Sequence, residues 1–318
     1  MVSAPLLRIV FFGTPEFAVP TLDALLRSGH HVVGVVTQPD RPRGRGHKTS
    51  HAPVKARALD ASLPVLQPER LKDESFLAAL AEMRADLGVV AAYGKILTDA
   101  VLAAPRLGLI NVHASLLPKY RGAAPVHRAI MNGERETGVT IMRVVKALDA
   151  GPMLAKTTRP IGPDETSEDV ERDLARDGAA LLAAVVDDLA AGRARETLQD
   201  DAVATYAHRL TKADSAIDWN WTADRVHNAV RGLHPWPHAA TFLHGRRLIL
   251  LRSAASSEPA GAAPGAVVAA RADDLIVAAG SGRVRLIAIQ AEGKRPMSAR
   301  EFLAGHAVAP GDRLTAAP

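Results

Sequence analysis

The chain has no cysteine among its 318 residues, only 4% aromatic residues, and no long uninterrupted apolar run. The absence of cysteine excludes disulfides, thiolate metal sites and a cysteine nucleophile, and it is typical of a protein of the reducing cytoplasm. A bilayer span requires about 20 consecutive apolar residues, so we predict a cytoplasmic protein with no membrane contact. The sequence also has no His and carboxylate spacing typical of a metal site, and we expect no metal.

Length and charge favour two globular domains. A chain of this length exceeds the usual range of a single domain, and 47% hydrophobic with 23% charged residues is ordinary for a globular protein. The net charge of +5 lies mostly in residues 212–318, which carry 13 Lys and Arg against 9 Asp and Glu. A sharper basic cluster runs from Arg41 to Lys48. Both features are compatible with a polyanionic partner and with a solvated surface.

The first half of the chain alternates short apolar runs with helical patterns, which predicts an α/β fold on a mostly parallel sheet. Strands are predicted at 8–12, 31–37, 64–66, 87–92, 107–113, 138–145 and 153–159. Helices are predicted at 17–28, 53–60, 74–84, 98–103, 126–131 and 167–189. The last of these is long and amphipathic, and we expect it to close the first domain.

The remainder of the chain has a different pattern. Residues 190–199 lack an apolar period and are interpreted as linker, so we predict domains over 1–189 and 209–318, joined by a linker over 190–208. A helix predicted at 221–232 precedes short strands broken by Gly, Pro and Ser, with a hairpin signal at His244-Gly-Arg246. A small β-barrel of the oligonucleotide-binding (OB) type fits this pattern, as would another small β domain.

The stretch from Leu109 to Pro118 places an amide and an imidazole two residues apart at the end of a predicted buried strand. Residues i and i+2 of a strand point to the same face, so Asn111 and His113 converge on one small volume. A carbonyl held there would meet an amide donor and a titratable ring, as acyl transfer requires. Taken singly, each residue is also compatible with a turn-capping Asn or a core His.

Asp149 lies in the turn after the strand predicted at 138–145. Such a carboxylate can orient and charge His113, although a turn aspartate often bonds only to the backbone that follows it. Nucleotide-binding motifs are incomplete: Gly13 lacks the two further glycines of a dinucleotide fingerprint, and Gly44 and Gly46 lack a following Gly-Lys-Ser/Thr. The residues therefore favour acyl transfer over a dehydrogenase or a nucleotidase.

Motifs spread in order along most of the chain resemble those of the folate-dependent formyltransferases, and most closely the members that act on methionyl-tRNA. They are Phe12-Gly-Thr-Pro-Glu-Phe17, Thr37-Gln-Pro-Asp-Arg-Pro42, Ala92-Tyr-Gly94, Asn111-Val-His-Ala-Ser-Leu-Leu-Pro118, Arg121-Gly-Ala-Ala-Pro125, Thr137-Gly-Val-Thr140, Leu148-Asp-Ala-Gly151, Ile217-Asp-Trp219 and Pro235-Trp-Pro237. The resemblance implies a Rossmann-like catalytic domain with helices on both faces of its sheet. It also implies a C-terminal OB-like barrel that binds tRNA, and 10-formyltetrahydrofolate as formyl donor.

Carried over residue by residue, the family's catalytic Asn, His and Asp fall on Asn111, His113 and Asp149. Its folate-contacting positions fall on Ser115, Leu116, Leu117 and Pro118, joined by Tyr93 and Gly94. Its basic insertion, which reaches the acceptor end of initiator tRNA, supplies Arg41, Arg43, Arg45 and Lys48. The chain departs from the family pattern twice: Pro152 stands where several relatives have Asp, and His127 where Gln is more usual.

The resemblance thus predicts formylation of initiator methionyl-tRNA from 10-formyltetrahydrofolate, a chemistry that requires no metal. We expect a monomer. A formyltransferase acting on a small amine, such as an amino-sugar nucleotide or glycinamide ribonucleotide, would use the same Asn-His-Asp chemistry. The Arg-rich insertion and the basic C-terminal third disfavour that alternative. A catalytically inactive tRNA-binding protein is a second alternative, and the retention of all three catalytic residues disfavours it. A hydrolase that releases formate is a third, since water can replace the amine.

Overall fold

A seven-stranded sheet forms the centre of the first compact unit in the computed structural model, which describes residues 5–40, 42–43, 48–49 and 51–318. The strands up to residue 207 are β1 (Arg8–Gly13), β2 (His31–Val36), β3 (Pro42–Arg43), β4 (Lys48–Thr49), β5 (Val65–Leu66), β6 (Leu87–Ala91), β7 (Leu109–His113), β8 (Arg121–Gly122), β9 (Glu136–Arg143), β10 (Met153–Pro160) and β11 (Tyr206–Ala207). The helices are α1 (Val19–Arg27), α2 (Pro53–Asp60), α3 (Glu74–Glu82), α4 (Asp99–Ala103), α5 (Pro125–Met131) and α6 (Ser167–Ala190).

The strands of the large sheet follow the order β10-β9-β7-β6-β1-β2-β5. Neighbours from β7 through β6, β1 and β2 to β5 are parallel, and β9 runs antiparallel to β7. The predicted strands at 8–12, 31–37, 87–92, 107–113, 138–145 and 153–159 all belong to this sheet, with ends shifted by one to two residues. The carboxyl ends of β1, β2, β6 and β7 therefore meet at one edge, where open α/β sheets bind ligands.

Helices cover both faces of the sheet, as the continuous apolar run of β1 requires. Val10 and Phe12 share one buried cluster with Phe76 of α3 and with Val101 of α4. On the opposite face α6 lies against β7, since a Cβ added at Gly178 would come within 2.8 Å of the Val112 side chain. Parallel strands buried on both sides are apolar throughout, which explains the continuous apolar runs. The mostly parallel, Rossmann-like fold is confirmed.

The second compact unit contains residues 126–136, 160–170 and 208–318. Its further elements are α7 (Ala223–Gly232), β12 (Ala239–Leu243), β13 (Arg246–Ser256), β14 (Val267–Arg271), β15 (Asp274–Ala278), β16 (Arg283–Ala291), β17 (Met297–Ser298), α8 (Ala299–Gly305) and β18 (Leu314–Thr315). Three separate segments therefore form this unit. Arg231 of α7 is 7% exposed and donates from Nη1 to the carbonyl oxygens of Gly162 and Glu165, each at 3.1 Å.

The strands of this unit form an antiparallel sheet in the order β14-β15-β16-β13-β12-β18, with β17 paired to β16. The predicted hairpin is confirmed: β12 and β13 are joined by His244 and Gly245, whose φ angles of 49° and 72° fit a two-residue hairpin turn. The sheet curls until its edges meet: beside β14 and β18, the Leu314 N–H donates to the Gly265 carbonyl at 2.8 Å. The antiparallel, barrel-like C-terminal sheet is therefore confirmed.

The predicted linker over 190–208 carries some regular pairing. Thr197 forms an antiparallel bridge with Met153, and β11 pairs in parallel with β8. The domain limits at 189 and 209 stay a prediction. Within the described residues, no helix combines the length and the apolar character needed to cross a membrane.

Candidate active site

Asn111 and His113 occupy the last half of β7, between β6 and β9. Asn111 lies opposite Val90 of β6, and His113 lies opposite Thr140 of β9. Alternation along the strand places both side chains on one face, as the sequence predicts. His113 is 6% exposed, whereas Asn111 is half-buried. Among the residues that the structure describes, none hydrogen-bonds to the Asn111 amide, so its N–H groups remain available to a ligand.

The imidazole of His113 has one nitrogen committed and one available. Its Nε2 lies 3.0 Å from the carbonyl oxygen of Tyr120. A carbonyl can only accept, so Nε2 carries a hydrogen and donates. The other nitrogen, Nδ1, lies 3.8 Å from Oδ2 of Asp149. Nδ1 is therefore the ring nitrogen left for a ligand, and it faces the Asp149 carboxylate.

Asp149 is held in place from several directions. The backbone of Asp149 is left-handed, with a φ of 48°, and its Oδ2 accepts from the backbone N–H of Gly122 at 2.8 Å. The carbonyl oxygens of Asp149 and Gly151 both accept from Nε2 of Gln199, at 2.7 and 2.8 Å. The structure thus brings together all three predicted catalytic residues, and their catalytic roles stay a prediction.

Sequence reasoning missed the groups that hold these three residues. The Tyr120 carbonyl and the Gly122 N–H are backbone atoms, and no residue type signals them. Gln199 fell in a segment interpreted as linker, and its bonds reach back 48 and 50 residues along the chain. A usable signal was present, because Arg121 and Gly122 belong to a motif already matched to the formyltransferases.

The predicted folate-contacting stretch at 115–118 turns two of its side chains into the protein. The hydroxyl of Ser115 donates to the Lys119 carbonyl at 2.7 Å. Leu117 is fully buried in a cluster with Met142 and Met153. Leu116 and Pro118 are half-buried, so a ligand at this edge would meet them and the backbone more readily than the Ser115 hydroxyl. Folate contact by this stretch stays a prediction.

Thr140 fixes the backbone of the same stretch. Its hydroxyl donates to the Ser115 carbonyl at 2.7 Å and accepts from the Leu117 N–H at 3.1 Å. All of these groups are buried. The backbone that follows His113 is therefore held by a side chain of the neighbouring strand.

Tyr93 and Gly94 follow β6 and reach the same edge of the sheet. The Tyr93 carbonyl accepts from Nε2 of Gln38 at 2.8 Å and from the hydroxyl of Thr14 at 3.2 Å. The Tyr93 hydroxyl is buried and finds no partner within the described residues, and burial raises the pKa of Tyr93 to about 12. Gly94 has a φ of 80°, which favours glycine. A folate role for these two residues also stays a prediction.

The basic cluster follows β2. Arg43 and Lys48 lie opposite each other in the antiparallel pair of β3 and β4. Arg41, Arg45 and the side chains of Arg43 and Lys48 lie outside what the structure describes, so the predicted tRNA contact stays a prediction.

A polar group precedes that pair of strands. Asp40 accepts from Lys55 at 2.5 Å and from Gln67 at 3.2 Å. The hydrogen bond from Lys55 lowers the pKa of Asp40 to about 2. Asp40 is therefore ionised throughout the neutral range, close in sequence to the basic cluster.

The two departures from the family pattern, at Pro152 and His127, lie outside the three predicted catalytic residues. Pro152 has a structural contact, since its carbonyl accepts from the Arg143 N–H at 2.8 Å. Burial, with a contribution from the charge of Arg128, lowers the pKa of His127 to about 4, so this ring is neutral at pH 7. No cluster of three or more His, Asp or Glu side chains in the described part of the chain has the arrangement of a metal site.

Comparison with protein-family models gives two matches. The Formyl transferase model matches residues 7–186, and the model of the Formyl transferase C-terminal domain matches residues 209–307. The chain is 48% identical to the methionyl-tRNA formyltransferase of Methylococcus capsulatus, over 97% of this chain and 99% of that protein. It is 45% identical to the methionyl-tRNA formyltransferase of Moorella thermoacetica, again over 97% and 99%.

Solved structures resemble this one in fold. The N-formyltransferase of Helicobacter canadensis, crystallised with folinic acid and dTDP-3-aminofucose, has a TM-score of 0.66 at 17% identity and matches 90% of this chain and 99% of that chain. The sugar 3N-formyltransferase WlaRD, crystallised with dTDP and 5-N-formyl-THF, has a TM-score of 0.69 at 18% identity and matches 92% and 100%. At such low identity, these likenesses show the fold alone.

Proposed function

Since the chain belongs to the formyl transferase family, we propose that it transfers the formyl group of 10-formyltetrahydrofolate to the free amino group of initiator methionyl-tRNA. The similarity to methionyl-tRNA formyltransferases at 44–48% identity over 97% of the chain carries this proposal. The placement of Asn111 and His113 on β7, with Asp149 3.8 Å from His113, supports it independently, because the three groups supply what the chemistry needs.

In the proposed mechanism the neutral α-amine of methionyl-tRNA attacks the formyl carbon, and a C–N bond forms. The carbonyl oxygen gains negative charge in the tetrahedral intermediate. The free N–H groups of Asn111 and the protonated Nδ1 of His113 stabilise that oxyanion. Collapse breaks the bond to the folate nitrogen and releases tetrahydrofolate.

One proton moves in the net reaction, from the attacking amine to the departing folate nitrogen. Asp149 faces Nδ1 at 3.8 Å and stabilises the imidazolium while it exists. The Tyr120 carbonyl keeps the other ring nitrogen donating, so the ring cannot offer Nε2 instead. Asp149 and Nδ1 together carry the proton between the two nitrogens.

The basic residues would supply the affinity for tRNA. Contacts from Arg41, Arg43, Arg45 and Lys48 to phosphate would release counterions, so binding would weaken as salt rises. Replacing the three arginines with alanine is expected to raise KM for tRNA and to flatten its salt dependence, with KM for 10-formyltetrahydrofolate unchanged. The matched control removes the same charge at Arg27, Arg70 and Arg84, which are exposed on the first unit. Equal effects of the two triple variants would reject a specific role of the cluster.

The test of function is formyl transfer from 10-formyltetrahydrofolate to initiator methionyl-tRNA, elongator methionyl-tRNA and small amines. We expect transfer to initiator methionyl-tRNA. The substitutions His113→Ala and Asn111→Ala should each lower kcat by about 10²–10³. His31→Ala, at an exposed histidine that begins β2, should leave kcat unchanged. Transfer to a small amine alone would keep the chemistry and reject the tRNA substrate.

A further inference from the structure

Gln199 uses the full hydrogen-bonding capacity of its side chain beside the candidate active site. Its Nε2 donates to the carbonyl oxygens of Asp149 and Gly151, at 2.7 and 2.8 Å. Its Oε1 accepts from Nε and Nη2 of Arg121, at 3.0 and 2.9 Å. A glutamine amide has two N–H donors and one oxygen with two lone pairs. Four bonds therefore fix this amide in one orientation.

Arg121 is itself anchored. Its side chain is 4% exposed, and Nη2 also donates to Oδ1 of Asp201 at 2.6 Å. Its backbone N–H donates to the Thr205 carbonyl at 2.8 Å, next to the pairing of β8 with β11. A planar guanidinium presents its donors in a rigid fork, so it can hold the Gln199 oxygen at a set angle. Arg121, the first residue of β8, is thus fixed by both its side chain and its backbone.

The turn that Gln199 holds has an unfavourable backbone. Asp149 is not a glycine, yet its φ is 48°. At Gly151 an added Cβ would lie 1.9 Å from the Arg143 carbonyl oxygen, so the turn passes very close to β9. Conformations of this kind persist only where surrounding contacts enforce them. The two bonds from Gln199, one on each side of Ala150, are such contacts.

We propose that Gln199 is a positioning residue for formyl transfer. It fixes the turn at 149–151 and thereby holds the Asp149 carboxylate opposite Nδ1 of His113. The inference rests on the catalytic assignment proposed above. Because the donors of Gln199 end on backbone carbonyls, its effect on the reaction passes through Asp149.

The decisive variant is Gln199→Glu, which keeps the shape and the bonds from Arg121. It loses both donors and places a carboxylate against two carbonyl oxygens, so the turn must move. We expect kcat for methionyl-tRNA to fall by about 10–100-fold, the range found when groups that orient an active-site residue are lost. Leu198→Glu is the matched control, since it adds the same charge at the preceding residue, whose side chain is 80% exposed. KM for methionyl-tRNA should be the same in both variants.

The same substitution, made in the Asp149→Asn variant, distinguishes a positioning role of Gln199 from a general contribution to stability. If Gln199 acts through Asp149, Gln199→Glu should change kcat by less than threefold in protein that already carries Asp149→Asn. An equally large fall in both backgrounds would overturn the proposal, as would an undiminished kcat of Gln199→Glu alone. Gln199→Met, which removes all four bonds without adding charge, replaces Gln199→Glu in the same comparison if the latter does not fold. Wild-type protein that formylates no methionyl-tRNA would instead refute the proposed function.

Discussion

Replacement of Gly122 by alanine tests how closely fold and reaction are joined in this molecule. Gly122 has a φ of 117°, and an added Cβ would lie 2.8 Å from the carbonyl oxygen of Ala207. That oxygen has little freedom to move away, because it accepts from the N–H groups of Ala123 and Ala124 at 2.9 and 3.2 Å. The chain at Gly122 must move instead, and it carries the N–H that binds Asp149.

The expected magnitudes follow from these contacts. Backbone strain at such a φ costs about 1–3 kcal/mol for a residue with a Cβ, and the close contact adds to it. A displacement of about 1 Å in a group that orients the reacting atoms lowers the rate by about 10²-fold. Gly122→Ala should therefore lower both the free energy of unfolding and kcat.

The assay pairs urea unfolding with steady-state formylation. Gly192→Ala is the control, since Gly192 also has a positive φ of 67° but an added Cβ would meet nothing within 4 Å. The control should lose about 1 kcal/mol of stability and keep its kcat. If Gly122→Ala were as stable as Gly192→Ala and within twofold of wild type in kcat, the reasoning about this contact would be wrong.

Three further predictions follow from buried or charged groups. Thr140→Val leaves the Ser115 carbonyl and the Leu117 N–H without their partner. In urea titration it should lower the free energy of unfolding by about 2–4 kcal/mol. The control Thr158→Val, at an exposed site of β10, should change it by less than about 0.5 kcal/mol. Tyr93→Phe removes a buried hydroxyl that has no partner among the described residues, so it should leave stability unchanged or slightly raised; a loss above about 1 kcal/mol would contradict this. The pKa of Asp40 is lowered to about 2 from 3.8, so its stabilisation is present above pH 4 and lost as pH falls toward 2. The difference in melting temperature between wild type and Asp40→Asn should therefore be constant from pH 7 to 5 and shrink between pH 4 and 2.

The sequence predicted the large sheet well because its strands are buried on both faces. The run from Ile9 to Phe12 is wholly buried, and such a run is apolar whatever its neighbours are. The hairpin at His244 and Gly245 was equally readable, since few residue pairs tolerate two positive φ angles. Boundaries shifted by a residue or two where a strand ended in a turn.

The candidate site could be predicted from the sequence only in part, because one of its contacts is local and the others join distant residues. Asn111 and His113 share a strand, so the period of two brings them together without any tertiary information. Asp149 lies opposite His113 from a turn in which it is itself left-handed, and the carbonyls of that turn bond to Gln199, about fifty positions further along the chain. Hydrogen bonds to backbone carbonyls impose no hydrophobic period on the sequence. The segment around Gln199, whose side chain makes such bonds, therefore has the composition of a linker.

The three-segment makeup of the second unit bears on how this architecture can be exchanged between genes. A fragment limited to residues 209–318 would keep every barrel strand but leave the Arg231 guanidinium without the carbonyls of Gly162 and Glu165. The fragment would also lack residues 126–136 and 160–170, which belong to the same compact unit. Recombination at a single point near the end of α6 would therefore transfer only part of the second unit. Inheritance of the whole second unit requires that residues 126–136 and 160–170 be transferred together with residues 208–318.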